Sequence, residues 1–205
     1  NDAPALAAAQ IGIAMGERGT DVAREAAALV LLDDDFASIV HAIRVGRRIF
    51  DNLKKSMSYL LTVHVPIAGM SVLPLLFGWP LVLLPIHIVF LELVIDPMCS
   101  IVFEAEPEEQ AIMQRPPRDP EQPLFSTGHI VWSLAQGGVV LAFVAGLFIL
   151  ALHRGLPEED ARSLTFAALV ITNLGLVLVN RAEGSSLLAA FRRGNAALWW
   201  VTAGT

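Results

Sequence analysis

Long apolar stretches constrain the fold of this chain more than any other feature. A helix needs about 20 predominantly apolar residues to cross a bilayer, and four stretches approach or exceed that length. They cover residues 57–77, 81–103, 129–150 and 164–179, and a partial fifth covers residues 196–205. With 55% hydrophobic residues and a mean hydropathy of +0.59, the chain exceeds the apolar share of about 45–50% that is usual in soluble domains. We therefore predict a mainly α-helical membrane bundle at residues 57–205, multi-pass and in contact with lipid.

The first 35 residues have the pattern of a soluble α/β structure. A short Ala-rich helix is followed by a strand at 11–15, a helix at 21–28 and a strand at 29–32. Alternation of strands and helices at these lengths predicts a parallel sheet. Asp35 is a plausible N-cap for a charged helix at residues 36–56, which continues into the first span without a break. Domain boundaries are thus predicted at 1–35, 36–56 and 57–205.

Two carboxylates lie inside the second apolar stretch, at Glu92 and Asp96. An acidic side chain at the bilayer centre costs on the order of 3 kcal/mol on insertion scales, so it persists where it faces a partner, a cavity or an ion. Residues four apart share one face of a helix, and Pro97 removes the backbone donor for the carbonyl of Leu93. This cluster of oxygen donors predicts a site for a cation such as Ca²⁺, Mg²⁺ or Mn²⁺. The alternative is a pair of acids that neighbouring helices satisfy for structural reasons.

Two residues in other spans are further candidate ligands of a transported cation. His64 lies two residues before Pro66, which frees the carbonyl of Thr62 and loosens the helix. His64 either binds the ion or exchanges protons, or it is a hydrogen-bonded packing residue. Asn173, in the fourth span, is better suited to an interhelical hydrogen bond than to direct ligation.

The Asn1-Asp2 pair at the start of the α/β segment is a candidate phosphate or Mg²⁺ site. Open α/β sheets bind ligands at the ends of their strands and at helix N-termini. Asn and Asp also cap helices and form turns for structural reasons. Spacing alone leaves both interpretations open.

Composition excludes several other classes of function. The net charge is −6 and no nucleic-acid-binding motif appears, so nucleic acid is not expected as a partner. The single cysteine, Cys99, excludes a disulfide within the chain and a multi-cysteine zinc site. Cys99 and the adjacent Met98 offer soft sulfur ligands, but without a Cys-Pro-Cys arrangement they are interpreted as packing residues.

Basic residues near the ends of the spans predict the membrane orientation. They precede the first span and follow the second and the fourth, whereas the turn at 78–80 has none. Because Lys and Arg are enriched in cytoplasmic loops, these loops are expected in the cytoplasm and the acidic loop at 158–160 outside. Small residues on the third span predict a helix-packing face: Gly138, Ala142 and Gly146. The basic residues are Arg44, Arg47, Arg48, Lys54, Lys55, Arg115, Arg118, Arg181, Arg192 and Arg193.

A long run of residues resembles the P-type cation-transporting ATPases. NDAPALAAAQIGIAMGERGTDVAREAA is similar to the hinge end of their phosphorylation domain, whose signature reads GDGVNDAPAL and continues into IGIAMG. The run LLDDDFASIVHAIRVGRRIFDNLKKSMSYLL resembles the stalk helix that enters the fifth membrane helix. The segment IMQRPPR at 112–118 resembles the loop after the sixth. The branch it most resembles contains the calcium and the sodium/potassium pumps.

The resemblance implies a fold and a set of site residues. Residues 1–35 would be the edge of a haloacid-dehalogenase-like phosphorylation domain, and the spans would be membrane helices five to eight with part of the ninth. Asn1 and Asp2 would lie near the aspartyl phosphate and Mg²⁺. Glu92 and Asp96 fall on positions where the calcium pump has Asn and Asp ligands. His64 falls on an Asn ligand, Ile67 on a Glu ligand, and Asn173 on the Glu of helix eight.

The expected function is therefore the carboxy-terminal part of an ATP-driven cation pump in a bacterial plasma membrane. An Asp upstream would accept the γ-phosphate of ATP, and the upstream remainder of the chain would bind most of the ATP and Mg²⁺. We expect both ends of this chain to be internal to a longer protein and the 205-residue chain alone to be inactive. The alternative function is a non-enzymatic membrane transporter or channel module that uses the same acidic site.

Overall fold

The computed structural model describes residues 2–109, 111–119, 123, 125–182 and 194–204. It divides into two compact units. The α/β unit comprises Asn1–Arg48 and Gln110–Arg115, and the helical unit comprises Ile49–Glu109 and Pro116–Thr205.

The α/β unit contains the parallel strand pair that the sequence predicts. Strands β1 (Ile13–Met15) and β2 (Leu29–Leu31) pair with Ile13 opposite Leu29. Helix α1 (Ala3–Ala8) precedes β1, and helix α2 (Asp21–Ala26) connects the two strands. The hydroxyl of Thr20 caps α2 by accepting the N–H of Ala23 at 3.2 Å, as Thr does at helix N-termini. Both strands are shorter than predicted, whereas their order and direction are confirmed.

Helix α3 (Ala37–Phe77) is one continuous helix of 41 residues. Its first turn is held by Asp35, whose carboxylate accepts the N–H of Ala37 at 2.8 Å. At about 1.5 Å per residue, α3 is roughly 60 Å long, so the predicted charged helix and first span form one element. The helix ends before Gly78, whose φ of +67° is a left-handed conformation that glycine adopts without steric cost.

The second predicted span starts later than expected and is not a single regular helix. It consists of α4 (Pro85–Phe90), a π-helical turn (Leu91–Ile95) and α5 (Asp96–Glu104). Residues 81–84 precede the helix because Pro85 restricts Leu84 to an extended backbone, with ψ of 160°. The ring of His87 accepts the N–H of Leu84 at 3.2 Å, which satisfies one of the backbone donors at this helix start.

The remaining described helices are α6 (Thr127–His153), α7 (Glu158–Arg181) and α8 (Ala196–Gly204), with a short 3₁₀ turn at Ile112–Gln114. Three described helices are long and apolar enough to cross a membrane: α3, α6 and α7. The sequence predicts four complete spans. The second is absent from these three because the π turn divides it into shorter helices.

The core of the helical unit joins all of its long helices. Close approach of α6 to α3 depends on Gly137, because a Cβ built there would lie 2.5 Å from the carbonyl oxygen of Thr62. This is the carbonyl whose helical donor is missing at Pro66. Gly138 and Gly146 have no described atom within 4 Å of their Cβ positions, so among the described residues the close approach to α3 uses Gly137 and not the predicted ladder. Core residues include Tyr59, Val63, Met70, Leu91, Phe103, Phe148, Leu169 and Leu198.

A candidate intramembrane cation site

The structure brings three of the four predicted ligands together. One ligand atom each from His64, Glu92 and Asp96 can be chosen so that all three atoms lie within 4.8 Å of one another. His64 comes from the middle of α3, Glu92 from the π turn and Asp96 from the first residue of α5. One imidazole nitrogen and two carboxylates can therefore converge on one ion.

The π turn places both acids at an irregular point of the backbone. The N–H of Asp96 donates to the carbonyl of Leu91, five residues back, so it does not pair with Glu92 as in an α-helix. Five residues after Glu92 is Pro97, which has no N–H. The carbonyl of Glu92 therefore loses both its α-helical and its π-helical donor, and Leu93 loses its α-helical donor as predicted. Single π turns occur frequently at functional sites.

Pro97 lies in the first turn of the regular helix that follows the π turn. It is the second residue of α5, and in the first turn of a helix an N–H has no intrahelical partner to lose. The one-residue insertion of the π turn just before it provides this new helix start. Sequence periodicity could not show the insertion, because a π turn has no residue pattern of its own.

The backbone determines which nitrogen of His64 faces the acids. Its Nδ1 lies 2.7 Å from the carbonyl oxygen of Leu60, one turn back on α3. A carbonyl only accepts, so Nδ1 carries the proton and donates. The other nitrogen, Nε2, lies 3.6 Å from Oε1 of Glu92. This distance is too long for a strong hydrogen bond, and it leaves Nε2 available to a cation or a proton between the two groups.

Asp96 is the buried member of the cluster. Asp96 is only 5% exposed, and neither of its carboxylate oxygens has a hydrogen-bond partner in the described part of the chain. Buried polar atoms are nearly always paired, and a buried carboxylate without a partner is costly. A bound cation would satisfy both oxygens. His64 and Glu92 are about half-exposed, with side chains 50% and 41% accessible, so the cluster is open on one side.

Asn173 is also buried and has no partner within the described ranges. It lies on α7 and is fully inaccessible, and both side-chain amide atoms are unpaired. The expected interhelical hydrogen bond is therefore not made by the described residues. Helix α7 packs against α5, the helix that carries Asp96, but no distance joins Asn173 to the other three ligands. Its role as a ligand stays a prediction.

The predicted phosphate region lies in the α/β unit. Asp2 is exposed and lines a cavity of about 650 Å³ together with residues of β1 and the start of α2, including Met15 and Thr20. Its partner in the prediction, Asn1, lies outside the described residues. The role of Asp2 at phosphate or Mg²⁺ stays a prediction.

Sequence reasoning missed a second group of buried charges in the helical unit. Arg181, at the end of α7, donates to Oε2 of Glu106 at 2.6 Å, and both side chains are fully buried. Asn195 donates to the same oxygen at 2.9 Å, and Asn52 donates to the carbonyl of Glu106. The sequence shows Glu106 within an acidic loop and Arg181 as one more basic flank. Nothing in their spacing, 75 residues apart, predicts the pair.

Lys55 is a further residue whose environment differs from the prediction. It was expected on the polar face of a charged helix, yet it is 4% exposed and pairs with Glu109 at 2.7 Å. Together with the Asn52 contact, this pair fastens the segment after α5 to α3. The chain therefore uses one of its predicted cytoplasmic cations as an internal link.

Comparison with known proteins gives the context of this site. The family model described as "Cation transporting ATPase, C-terminus" matches residues 80–205, which is more than half of the chain. The chain belongs to the P-type cation-transporting ATPases. Membership of this family, together with the three apolar helices, identifies the chain as part of an integral membrane protein. The family assignment made from the sequence motifs is confirmed.

Individual members of the family are similar over most of the chain. A calcium-transporting ATPase of Bacillus subtilis (strain 168) is 38% identical over 90% of this chain and 21% of its own length. A probable cation-transporting ATPase F of Mycobacterium bovis is 35% identical over 100% of this chain and 22% of its own length. The sodium/potassium-transporting ATPase subunit alpha of Hydra vulgaris is 43% identical over 77% of this chain and 16% of its own length. The chain thus spans about a fifth of the length of the curated relatives it matches.

Proposed function

We propose that this chain is the ion-binding part of an ATP-driven cation pump, with the transported cation held by His64, Glu92 and Asp96. The observation that carries the proposal is the convergence of these three ligand atoms at a π turn, with Asp96 buried and its carboxylate without a hydrogen-bond partner among the described residues. Intramembrane ionisable residues mark ion or proton pathways by default. Membership of an ATPase family favours a pump over the alternative of a non-enzymatic transporter or channel.

Each ligand has a distinct task in this proposal. Asp96 supplies the buried charge that makes an empty site unfavourable and a filled one stable. Glu92, at the half-exposed edge, binds the ion as it enters and can exchange it for a proton. The backbone carbonyls left without helical donors at the π turn add neutral oxygen ligands. Asn173 and residues upstream of this chain would complete the coordination.

Coupling to ATP would run along α3. We propose that the strand pair and α1 are the edge of a haloacid-dehalogenase-like phosphorylation domain, in which Asn1 and Asp2 contact the phosphate and Mg²⁺. ATP supplies the phosphoryl group to an upstream Asp. Helix α3 is continuous from Ala37 to Phe77, and we propose that movements of the phosphorylation domain reach His64 along it.

The helix numbering and orientation follow from the same proposal. Helix α3 would be the fifth membrane helix, the α4 to α5 segment the sixth, α6 the seventh, α7 the eighth, and α8 part of the ninth. The basic segments would face the cytoplasm of a bacterial cell, with the protein in the plasma membrane.

Cation-stimulated phosphorylation from ATP tests this proposal in a full-length protein that contains the chain. Replacement Asp96→Asn should raise the cation concentration for half-maximal phosphorylation by about 30-fold or more, because loss of one charged partner in a buried ionic contact costs about 2 kcal/mol or more. Glu92→Gln should weaken stimulation less, since the amide keeps one oxygen ligand. Glu104→Gln is the matched control, an exposed acid on the same helix. Unchanged cation dependence in Asp96→Asn would show that the acids are structural.

A further inference from the structure

One of the three donor atoms in the cluster, the imidazole nitrogen of His64, differs from those that calcium or alkali ions prefer. Ca²⁺ and Mg²⁺ take oxygen ligands almost exclusively, whereas imidazole nitrogen suits first-row transition metals such as Zn²⁺, Fe²⁺ and Ni²⁺. Here one imidazole stands with two carboxylates. Cys99 is buried but is not part of the group of ligand atoms found among the described residues. Without a thiolate, the set does not suit a soft ion such as Cu⁺.

The local geometry prepares His64 to act as a metal ligand. Histidines that bind metals almost always donate their other ring N–H to a carbonyl or a carboxylate, which fixes the tautomer. His64 makes this contact from Nδ1 to the Leu60 carbonyl at 2.7 Å, and it leaves the Nε2 lone pair toward the acids.

Distance and burial are both compatible with one ion between these groups. Two ligands at about 2.0–2.2 Å from one metal ion lie roughly 3–3.6 Å apart, depending on the angle between them. Nε2 of His64 and Oε1 of Glu92 are 3.6 Å apart. Asp96 offers a second carboxylate, unpaired and 5% exposed. Two carboxylates also neutralise the charge of a divalent ion.

We propose that the transported ion is a divalent first-row transition metal in the range from Fe²⁺ to Zn²⁺, bound directly by Nε2 of His64. This inference rests on the proposed function and adds the substrate class. It differs from the calcium, sodium and potassium that the names of several relatives state.

The test measures phosphorylation from ATP in the full-length protein at constant Mg²⁺, with separate titrations of Ni²⁺, Zn²⁺ and Ca²⁺. The wild type should respond to Ni²⁺ or Zn²⁺ at a free concentration at least about tenfold below that needed for Ca²⁺. His64→Asn should raise the half-maximal Ni²⁺ and Zn²⁺ concentrations by about tenfold or more and leave the Ca²⁺ curve within about twofold. His153→Asn, an exposed histidine at the end of α6, should change none of the three curves.

A direct measurement of binding accompanies the kinetics. Co²⁺ added to the purified full-length protein should give a visible absorption band that His64→Asn removes and His153→Asn keeps. His64→Gln, a second replacement of similar polarity, guards against a folding defect specific to the Asn variant.

Two contrary outcomes have different meanings. Stimulation by Ca²⁺ at the lowest concentration, unchanged in His64→Asn yet lost in Asp96→Asn, would overturn the transition-metal assignment and leave the pump site in place. Absence of stimulation by every cation, or full stimulation in Asp96→Asn, would overturn the proposed site and the substrate class together.

Discussion

Individual residues of this chain differ in how far their pattern reveals their role. Glu92 and Asp96 are conspicuous because a carboxylate is expensive in an apolar stretch, and the structure places them together with His64. The Glu106 and Arg181 side chains are fully buried, yet both residues lie at the ends of apolar stretches where charges are common. The sequence reveals a buried charge when its neighbours in the chain are apolar. It does not reveal one when the residues that bury the charge are far away in the chain.

The Glu106 and Arg181 pair leads to a prediction about stability. Arg181→Met should destabilise the protein by about 3–5 kcal/mol, because it leaves the Glu106 carboxylate buried without its cation. Replacement of both partners, Arg181→Met with Glu106→Leu, should recover most of this loss, because no uncompensated charge remains. Thermal inactivation of the detergent-solubilised full-length protein measures the difference.

Arg154→Met serves as the control for this measurement, since Arg154 is exposed at the end of α6. Equal melting temperatures for the wild type and for Arg181→Met would mean that the ion pair contributes nothing net to the fold.

Elements of the chain are predicted with unequal accuracy. The parallel strand pair and the continuous α3 follow from periodicity and from the absence of breakers before residue 66. The α4 to α5 segment does not, because the π turn inserts one residue into the hydrogen-bond register without altering composition. Helix packing is also beyond sequence: the small-residue ladder predicts Gly138, whereas the α3 backbone approaches Gly137.

The glycine pair provides a matched test of helix packing. Gly137→Val should destabilise the protein by about 1–3 kcal/mol, because its side chain would overlap the Thr62 carbonyl and Val65, as overpacked core replacements do. Gly138→Val, on the adjacent face with open space around it, should change stability by less than about 0.5 kcal/mol. The comparison uses chemical or thermal unfolding of the full-length protein. A larger effect at 138 than at 137 would contradict the packing described for α6.

At the scale of the whole molecule, the sequence predicts the class and the family, and the structure adds the arrangement within each unit. Membership of the P-type cation-transporting ATPases is predicted from sequence motifs that resemble this family over nearly the full chain. The membrane orientation still depends on the distribution of basic residues, some of which, including Arg192 and Arg193, lie outside the described part of the chain. The number of spans stays a prediction: three described helices have the length and hydropathy to cross a membrane, and the apolar stretch at 81–103 contains the π turn.

Cysteine labelling in intact cells tests the orientation. After Cys99, which is buried, is replaced by Ala in the full-length protein, a cysteine at Glu159 should react with an impermeant thiol reagent. A cysteine at Arg115 should be protected until the cells are permeabilised, because the positive-inside rule assigns its loop to the cytoplasm. Reaction at Arg115 in sealed cells would reverse the proposed orientation.

Transport by the purified full-length protein in sealed proteoliposomes tests the central claim most directly. ATP added outside should drive accumulation of a divalent cation in wild-type vesicles and in the Glu104→Gln control. Asp96→Asn should reduce the initial rate at a subsaturating cation concentration by about 30-fold or more, because the buried site has lost its charge. ATP-driven accumulation at the wild-type rate in Asp96→Asn would contradict the assignment of the cation site to His64, Glu92 and Asp96.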